Sequence, residues 1–281
     1  MIKKTYFADI VGASVSVAPW EGVVQSIYSK AVNLLHPSGV LISLVDSIDN
    51  MTDFGLVVKN FSLLISEISN GSHFLWEGNR IIFSDIIVDI SRASEWSGAL
   101  SKDSINNSAD MASLKRAFNK LAADEGLSPV LTNKEGNIYS NAAEKLLEKA
   151  VTKVNISKGT LVDLSHLVGL GIGFTPSGDD FLAGVMLFEA MYGTSIINRT
   201  IIKAKLSGTT EGGGTLLQLA LRNSFPFYLK QFAESILNGS FYPSEGVTKV
   251  IKHGSTSGSD ALTGFLWAVE KNEKNSLINL T

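Results

Sequence analysis

Two spacings of hydrophobic residues divide the chain. Over the first hundred residues the apolar positions fall in short runs rich in Val, Ile and Phe, namely VLISLVDS (40–47), FGLVVK (54–59) and RIIFSDIIVDIS (80–91), and turn formers such as HPSG, SNGSH and EGN separate them. Runs of this kind predict strands. One segment differs: in EGVVQSIYSKAVNLL (21–35) the apolar residues recur at intervals of three and four, which predicts a helix. From about Asp110 the helical interval takes over. ADMASLKRAFNKLAADEG (109–126) and NAAEKLLEKAVTKV (141–154) carry charge on one face and apolar residues on the other, and Gly126 is suited to end the first. DDFLAGVMLFEAMYG, GTLLQLALRN, PFYLKQFAESILNG and SDALTGFLWAVEKN continue the pattern. The helix opened by Asp179 is apolar nearly all round and belongs inside a bundle. The expected architecture is α+β: a β-rich N-terminal domain over 1–100, then a mostly helical domain over 101–281, with the change in the polar stretch WSGALSKDSINNS (96–108).

Composition narrows the function classes. In 281 residues, 44% are hydrophobic and 18% charged, the balance of a well-buried globular protein. A net charge of -3 gives no electrostatic footprint for nucleic acid. There is no cysteine, so disulfides, thiol nucleophiles and cysteine metal sites are excluded. Asp9 interrupts the apolar start, which argues against a signal peptide, and no uncharged run reaches membrane-spanning length. The expectation is a soluble cytoplasmic protein.

Candidate chemistry concentrates in GLGIGFTPSGDDFLAG (169–184). Its second half recurs near the C-terminus: Ser177-Gly178-Asp179-Asp180-Phe181-Leu182-Ala183-Gly184 and Ser257-Gly258-Ser259-Asp260-Ala261-Leu262-Thr263-Gly264 share the pattern S-G-x-D-x-L-x-G. Helix capping by the serine, with the aspartate reaching back and the glycine admitting a neighbouring backbone, explains much of this without any ligand. It leaves Gly169, Gly171, Gly173 and Thr175-Pro176 unexplained. Alternating glycines before a helix let backbone amides bend around a ligand, and the helix start favours an anion. Asp179 and Asp180 stand where a nucleotide-triphosphate loop needs Lys and Ser or Thr, and Phe174 replaces the last glycine of a dinucleotide fingerprint, so neither a nucleotide loop nor a flavin or NAD motif is present.

Two adjacent carboxylates suit either Mg²⁺ bridging to an oxyanion, held by Asp179, Asp180 and Asp260, or the orientation of an amide or ammonium donor. A third glycine-rich helix entry, Ser207-Gly208-Thr209-Thr210-Glu211-Gly212-Gly213-Gly214, offers further hydroxyls, and His253-Gly254-Ser255-Thr256 leads into the second S-G-x-D copy. A composite pocket follows if the bundle brings these starts together. Its candidate catalytic residues are Asp179, Asp180 and His253, the last as acid or base near neutral pH. Its candidate binding residues are Gly171, Gly173, Thr175, Ser177, Gly178, Thr209, Thr210, Ser257, Gly258 and Asp260. His36, His73 and His166 stand alone and read as structural or solvated.

GLGIGFTPSGDDFLAG together with HGSTSGSDALTG resembles the signature of the AllH family, long treated as a domain of unknown function, and a helix like VQSIYSKAVNLL and a strand like NRIIF extend the resemblance over most of the chain. The chain departs from the family pattern at Gln25, where a histidine is frequent, and in its glycine-rich stretch after Thr210. The resemblance implies a subunit of an oxamate carbamoyltransferase, acting with other subunits in anaerobic allantoin degradation on small anionic reactants: oxalurate, phosphate, oxamate and carbamoyl phosphate. It implies that Thr175, Ser177 and the amides near Gly178 bind an oxyanion, while Asp179, Asp180 and Asp260 hold Mg²⁺ or receive amide hydrogens. Two other functions compete. One is a non-catalytic structural or regulatory partner, suggested by the lack of an ordinary nucleophile and base pair; the other is a metal-dependent hydrolase of a small amide or phosphoester.

Overall fold

The computed structural model of the chain describes residues 3–100, 110–132, 134–152 and 160–278. The chain forms two compact units, Met1–Ala99 with Ser224–Phe227, and Leu100–Asn223 with Tyr228–Thr281.

The first unit is a closed barrel. Its strands are β1 (Lys4–Gly12), β2 (Trp20–Ile27), β3 (Ala31–Leu35), β4 (Leu41–Val45), β5 (Gly55–Val58), β6 (His73–Glu77), β7 (Arg80–Ile82), β8 (Ile86–Asp89) and β9 (Ser94–Trp96), with a short helix α1 (Phe61–Ile65). The order β5-β4-β3-β2-β6-β7-β8-β1 returns to β5, making a ring of eight strands. β1 closes it by using both edges: Lys4–Phe7 pair in parallel with β8, while Ala8–Val11 pair antiparallel with β5. β9 continues along the edge that β8 leaves, at Ile10–Gly12. Closure leaves no unpaired ring edge for another chain to extend. Leu34, Leu44, Leu56, Trp76, Ile81 and Val88, none measurably exposed, are part of its core.

Two segments depart from the expected elements. Residues 21–35 form no helix but parts of β2 and β3, joined by a turn in which the Tyr28 N–H donates to the Ala31 carbonyl at 2.7 Å. The buried pair Trp20 and Val24 brackets Gly22 on one face of the strand, an alternation of period two that mimics a helical interval of four. The run 80–91 is two strands, β7 and β8, paired antiparallel. The segment Ser224–Phe227 is stitched into this first unit: the Ser224 hydroxyl donates to Asp53 Oδ2 at 2.6 Å, the Phe225 N–H to the Gly98 carbonyl at 3.0 Å and the Phe227 N–H to the Met51 carbonyl at 2.9 Å.

The second unit is mostly helical, so the chain is α+β. Its helices are α2 (Met111–Leu121), α3 (Ile138–Thr152), α4 (Ser177–Tyr192), α5 (Arg199–Ala204), α6 (Glu211–Ala220), α7 (Phe227–Leu237), α8 (Pro243–Ile251) and α9 (Ser257–Ile278). Every residue of α4 except Ala190 and Tyr192 is buried, as a helix apolar nearly all round requires. Its chief partner is α9, with Phe188 and Phe265 edge to face at 5.6 Å. Two features differ from the expectation of the sequence. α2 ends at Leu121, with Ala122 and not Gly126 at its cap. The capping box also fails for the first copy, because the N-cap of α4 is Pro176 and no side chain caps the helix, Ser177 being its first helical residue.

Candidate functional site

The starts of α4, α6 and α9 come together in the second unit, and three aspartates lie beneath them. Asp179 and Asp260 are not measurably exposed and Asp180 is 2% exposed. Local sequence explains the approach. A Cβ on Gly213 would overlap the Asp179 carboxylate, and one on Gly126, at a φ of 58°, would overlap that of Asp260. Glycine at these two positions is what leaves room for buried acid.

Each aspartate has a distinct environment. Asp179 is fully engaged: Oδ1 accepts the Gly169 N–H at 3.0 Å and Oδ2 accepts the Thr209 hydroxyl. Burial still raises its pKa, against those two hydrogen bonds. Asp260 accepts the Leu127 N–H on Oδ1 at 2.5 Å, while its Oδ2 has no partner. Burial pushes its pKa up to about 6, with the Leu127 N–H and the hydroxyls of Ser177 and Thr256 acting in the opposite direction. Asp180 also leaves a buried Oδ2 without a partner. Burial raises its pKa well above the carboxylate range, the neighbouring charge of Asp260 adds to the rise, and the hydroxyls of Ser257 and Thr175 moderate it.

The hydroxyl partners are exchanged between the two copies of the repeat. Ser257, opening α9, serves Asp180 on α4, and Ser177, opening α4, serves Asp260 on α9. The Thr175 and Ser257 hydroxyls are 3.0 Å apart and half-buried, outside the carboxyls. The serines therefore bridge the helices, where capping would have tied each to its own first turn.

Several other expected residues occupy defined but different places. The Gly178 N–H donates to the Leu170 carbonyl at 2.8 Å and the Gly258 N–H to the His253 carbonyl at 3.1 Å, so both amides are used within the fold. Thr210 caps α6 by accepting the Gly213 N–H at 3.0 Å, and its hydroxyl donates to the Phe174 carbonyl at 2.6 Å. Gly171 sits at a φ of 120° against Ser177, and Gly173 at 100° is exposed in open space. His253 stacks on Tyr228 with ring centres 3.8 Å apart. His36 packs edge-on to Trp20 in the barrel unit, and His73 lies exposed on β6.

Sequence reasoning missed Tyr228 altogether. Burial and the charges of Asp180 and Asp260 raise its phenol pKa well above the ordinary value, which places it in the field of the carboxyl pair. Nothing in PFYLKQF marks it, since an aromatic in an apolar helix reads as core. Leu127, whose N–H holds Asp260, was equally hidden, a backbone contact 133 positions away.

A hard cation at this place would draw on Asp180 Oδ2 and Asp260 Oδ2 with the Thr175 and Ser257 hydroxyls, oxygen donors of the kind Mg²⁺ takes. Both oxygens of Asp179 are committed elsewhere, and among the described residues no three His, Cys, Asp or Glu side chains are grouped to hold a metal ion.

A closed barrel joined to a helical unit, with buried carboxyls and half-buried hydroxyls at converging helix starts, defines a two-unit α+β protein. The family models agree with this division: the AllH family N-terminal domain matches residues 5–95, and the model described as oxamate carbamoyltransferase subunit AllH matches residues 167–269. The chain belongs to the AllH family. No curated protein and no solved structure matches it. Among the described residues no helix is long and apolar enough to cross a membrane.

Proposed function

We propose that the chain works as one subunit of a complex that interconverts oxalurate and phosphate with oxamate and carbamoyl phosphate, and that its helical unit receives the amide-bearing end of these reactants. The observation that carries this reading is the pair of buried, unpartnered oxygens, Asp180 Oδ2 and Asp260 Oδ2. A buried acceptor without a donor is costly, by about 1–3 kcal/mol, and an incoming N–H removes that cost. Phosphate is disfavoured beside these acids, because among the described residues no cationic side chain is paired with Asp179, Asp180 or Asp260 to attract it. A ureido or amide group brings N–H donors to the carboxyls and carbonyl acceptors to the hydroxyls of Thr175, Thr256 and Ser257. The receptor then acts mainly by positioning, since phosphate is itself the nucleophile in this reaction. The complex, and the soluble cytoplasmic setting in which allantoin degradation takes place, belong to this proposal.

The test is reconstitution of the complex with and without the chain, followed by carbamoyl phosphate formation from oxalurate and phosphate. The expected result is turnover that requires the chain and falls at least tenfold in T175V/S257A, with assembly intact. Full turnover by the assembled T175V/S257A complex would make the chain a structural partner. Turnover of amides or phosphoesters by the isolated chain would make it a hydrolase.

A further inference from the structure

Apart from the carboxyls, the helical unit holds a cavity of about 350 Å³ between α2 and the start of α8, lined by Ser113, Arg116, Ala117, Lys120, Pro243 and Ser244. Four of these residues form one stripe of α2, since positions 113, 116, 117 and 120 recur at intervals of three and four. The adjacent stripe carries Leu114 and Phe118, neither measurably exposed, which anchor α2 in the core. Ala117 is small and buried, so no bulky side chain fills the space beside the two basic residues.

We infer that this cavity is a binding site for a phosphate group, free or carried by a small phosphomonoester, with Arg116 and Lys120 as its cationic contacts and Ser244 as a hydrogen-bond donor. The inference goes beyond the proposed function and does not depend on carbamoyl transfer.

Charge is the first argument. Arg116 and Lys120 stand one turn apart on α2, a spacing at which like charges repel. The nearby acids do not relieve them. Asp110 is committed to Ser113, accepting its N–H at 3.0 Å and its hydroxyl, and reaches the Arg116 guanidinium only at 3.6 Å. Glu245, in the first turn of α8, pairs with Lys249 at 2.8 Å. Among the described residues Lys120 makes no ion pair and no side-chain hydrogen bond. Arg116 donates to the Ser113 hydroxyl at 2.5 Å, which leaves most of its donors for a ligand. A dianion between the two cations turns their repulsion into two attractions, and a guanidinium matches two oxygens of one phosphate. The start of α8 adds to this. Its N-cap, Tyr242, gives no side-chain cap and Pro243 has no N–H, so Ser244 supplies the first N–H of the helix, which among the described residues has no acceptor. The volume sits at the small end of ligand pockets, with room for a phosphate and a short substituent. The site is also separate from the carboxyls: α8 runs about 13 Å from Pro243 to Ile251, and His253 and the start of α9 lie beyond its far end.

Calorimetric titration of the full-length chain at about pH 8, where a phosphate group is mostly dianionic, tests the site with inorganic phosphate and glycerol 3-phosphate as probes and acetate as the comparison. The expected result is saturable binding of a phosphate probe that weakens about tenfold or more in R116M and in K120M and returns in K120R, which keeps the charge. Tighter binding of the ester names a phosphomonoester as the ligand, and tighter binding of the ion names free phosphate; both support the site. Both side chains are exposed, so R116M/K120M is expected to melt with the wild type, and a lost signal then reports the site and not the fold. No binding of either probe overturns the inference, as does undiminished binding in R116M/K120M. Acetate bound as tightly as phosphate overturns the phosphate assignment. An equal loss in K145M, which changes an exposed lysine of α3 outside the cavity, shows unspecific attraction and overturns the site.

Discussion

Gly184 of α4 lies so close to the main-chain carbonyl of Ala261 in α9 that a Cβ on the glycine would overlap the oxygen, and Gly264 of α9 meets the carbonyl of Phe181 in the same way. The contact is reciprocal because these glycines hold equivalent places in the two copies of S-G-x-D-x-L-x-G. The likeness continues outward: a Cβ on Gly178 would overlap the Leu167 carbonyl, and one on Gly258 the Val250 carbonyl. The two helix starts are thus related by an internal two-fold, and Asp180 and Asp260 are the equivalent acids that this relation brings together.

The repeat makes G184A a test of helix contact, separate from chemistry. Its methyl group meets backbone on a neighbouring helix, which cannot rotate away as a side chain can. Overpacking of this kind costs about 2–3 kcal/mol, and the melting temperature should fall by roughly 5–10 °C. Calorimetry on the purified variant measures this, and an unchanged transition would mean that the helices are not held at this distance. G264A should behave alike, since its obstacle is also a carbonyl.

Asp260 gives the stability of the chain a pH dependence of definite sign. Its folded pKa of about 6 exceeds the ordinary 3.8, so the folded state binds the proton more tightly. The stabilisation is complete below 3.8 and is lost as pH rises through 6, a loss of about 3 kcal/mol. Asp180 adds a loss of the same sign at higher pH. Urea unfolding at about pH 4.5 and pH 7.5 should show a smaller decline for D260N than for the wild type, because Asn keeps an acceptor for the Leu127 N–H and carries no charge. Equal declines would show that Asp260 ionises as easily folded as unfolded.

Much of this arrangement could be read from the residues, and the failures have physical causes. Strand runs such as 54–59 and the mostly apolar helix after Asp179 declare themselves, because burial on both faces leaves few polar positions. The repeat likewise exposes Asp180 and Asp260 as equivalents. The helix expected over 21–35 failed because Gly22 hides an alternating strand face. The serines misled for another reason: Ser followed by Asp three residues later has the form of a capping box, and only tertiary packing decides that each hydroxyl turns to the other helix. Tyr228 and the Leu127 N–H were beyond reach, since one resembles core and the other is backbone.

Glu189 shows a similar dependence on backbone donors away from the site, here from residues close behind it in the chain. At 2% exposure it accepts the N–H groups of Ile196 and Ile197 at 2.6 and 2.8 Å and the Arg199 Nε at 2.8 Å. R199M removes the countercharge and leaves a buried carboxylate, a loss of about 3 kcal/mol. Replacing both residues with Met should recover part of it, which urea unfolding of the single and double variants can measure. A single variant as stable as the wild type would show that the two backbone donors suffice.

Tyr228 joins the packing of the site to its electrostatics. Its ring lies on His253, an aromatic contact of about 1 kcal/mol, and Y228F retains that contact while removing only the hydroxyl. The variant should therefore unfold within about 1 kcal/mol of the wild type. Because burial and the charges of Asp180 and Asp260 hold the phenol well above its ordinary 10.0, the absorbance of tyrosinate should rise identically in wild type and Y228F until alkaline unfolding. A tyrosinate signal lost in Y228F near the ordinary pKa would show that the phenol reaches solvent. In the assembled complex, removing this hydroxyl from the field of the acids should slow oxalurate phosphorolysis by about tenfold or more. A variant with both the wild-type rate and the wild-type alkaline titration would make Tyr228 a packing residue that happens to lie in the field of the acids.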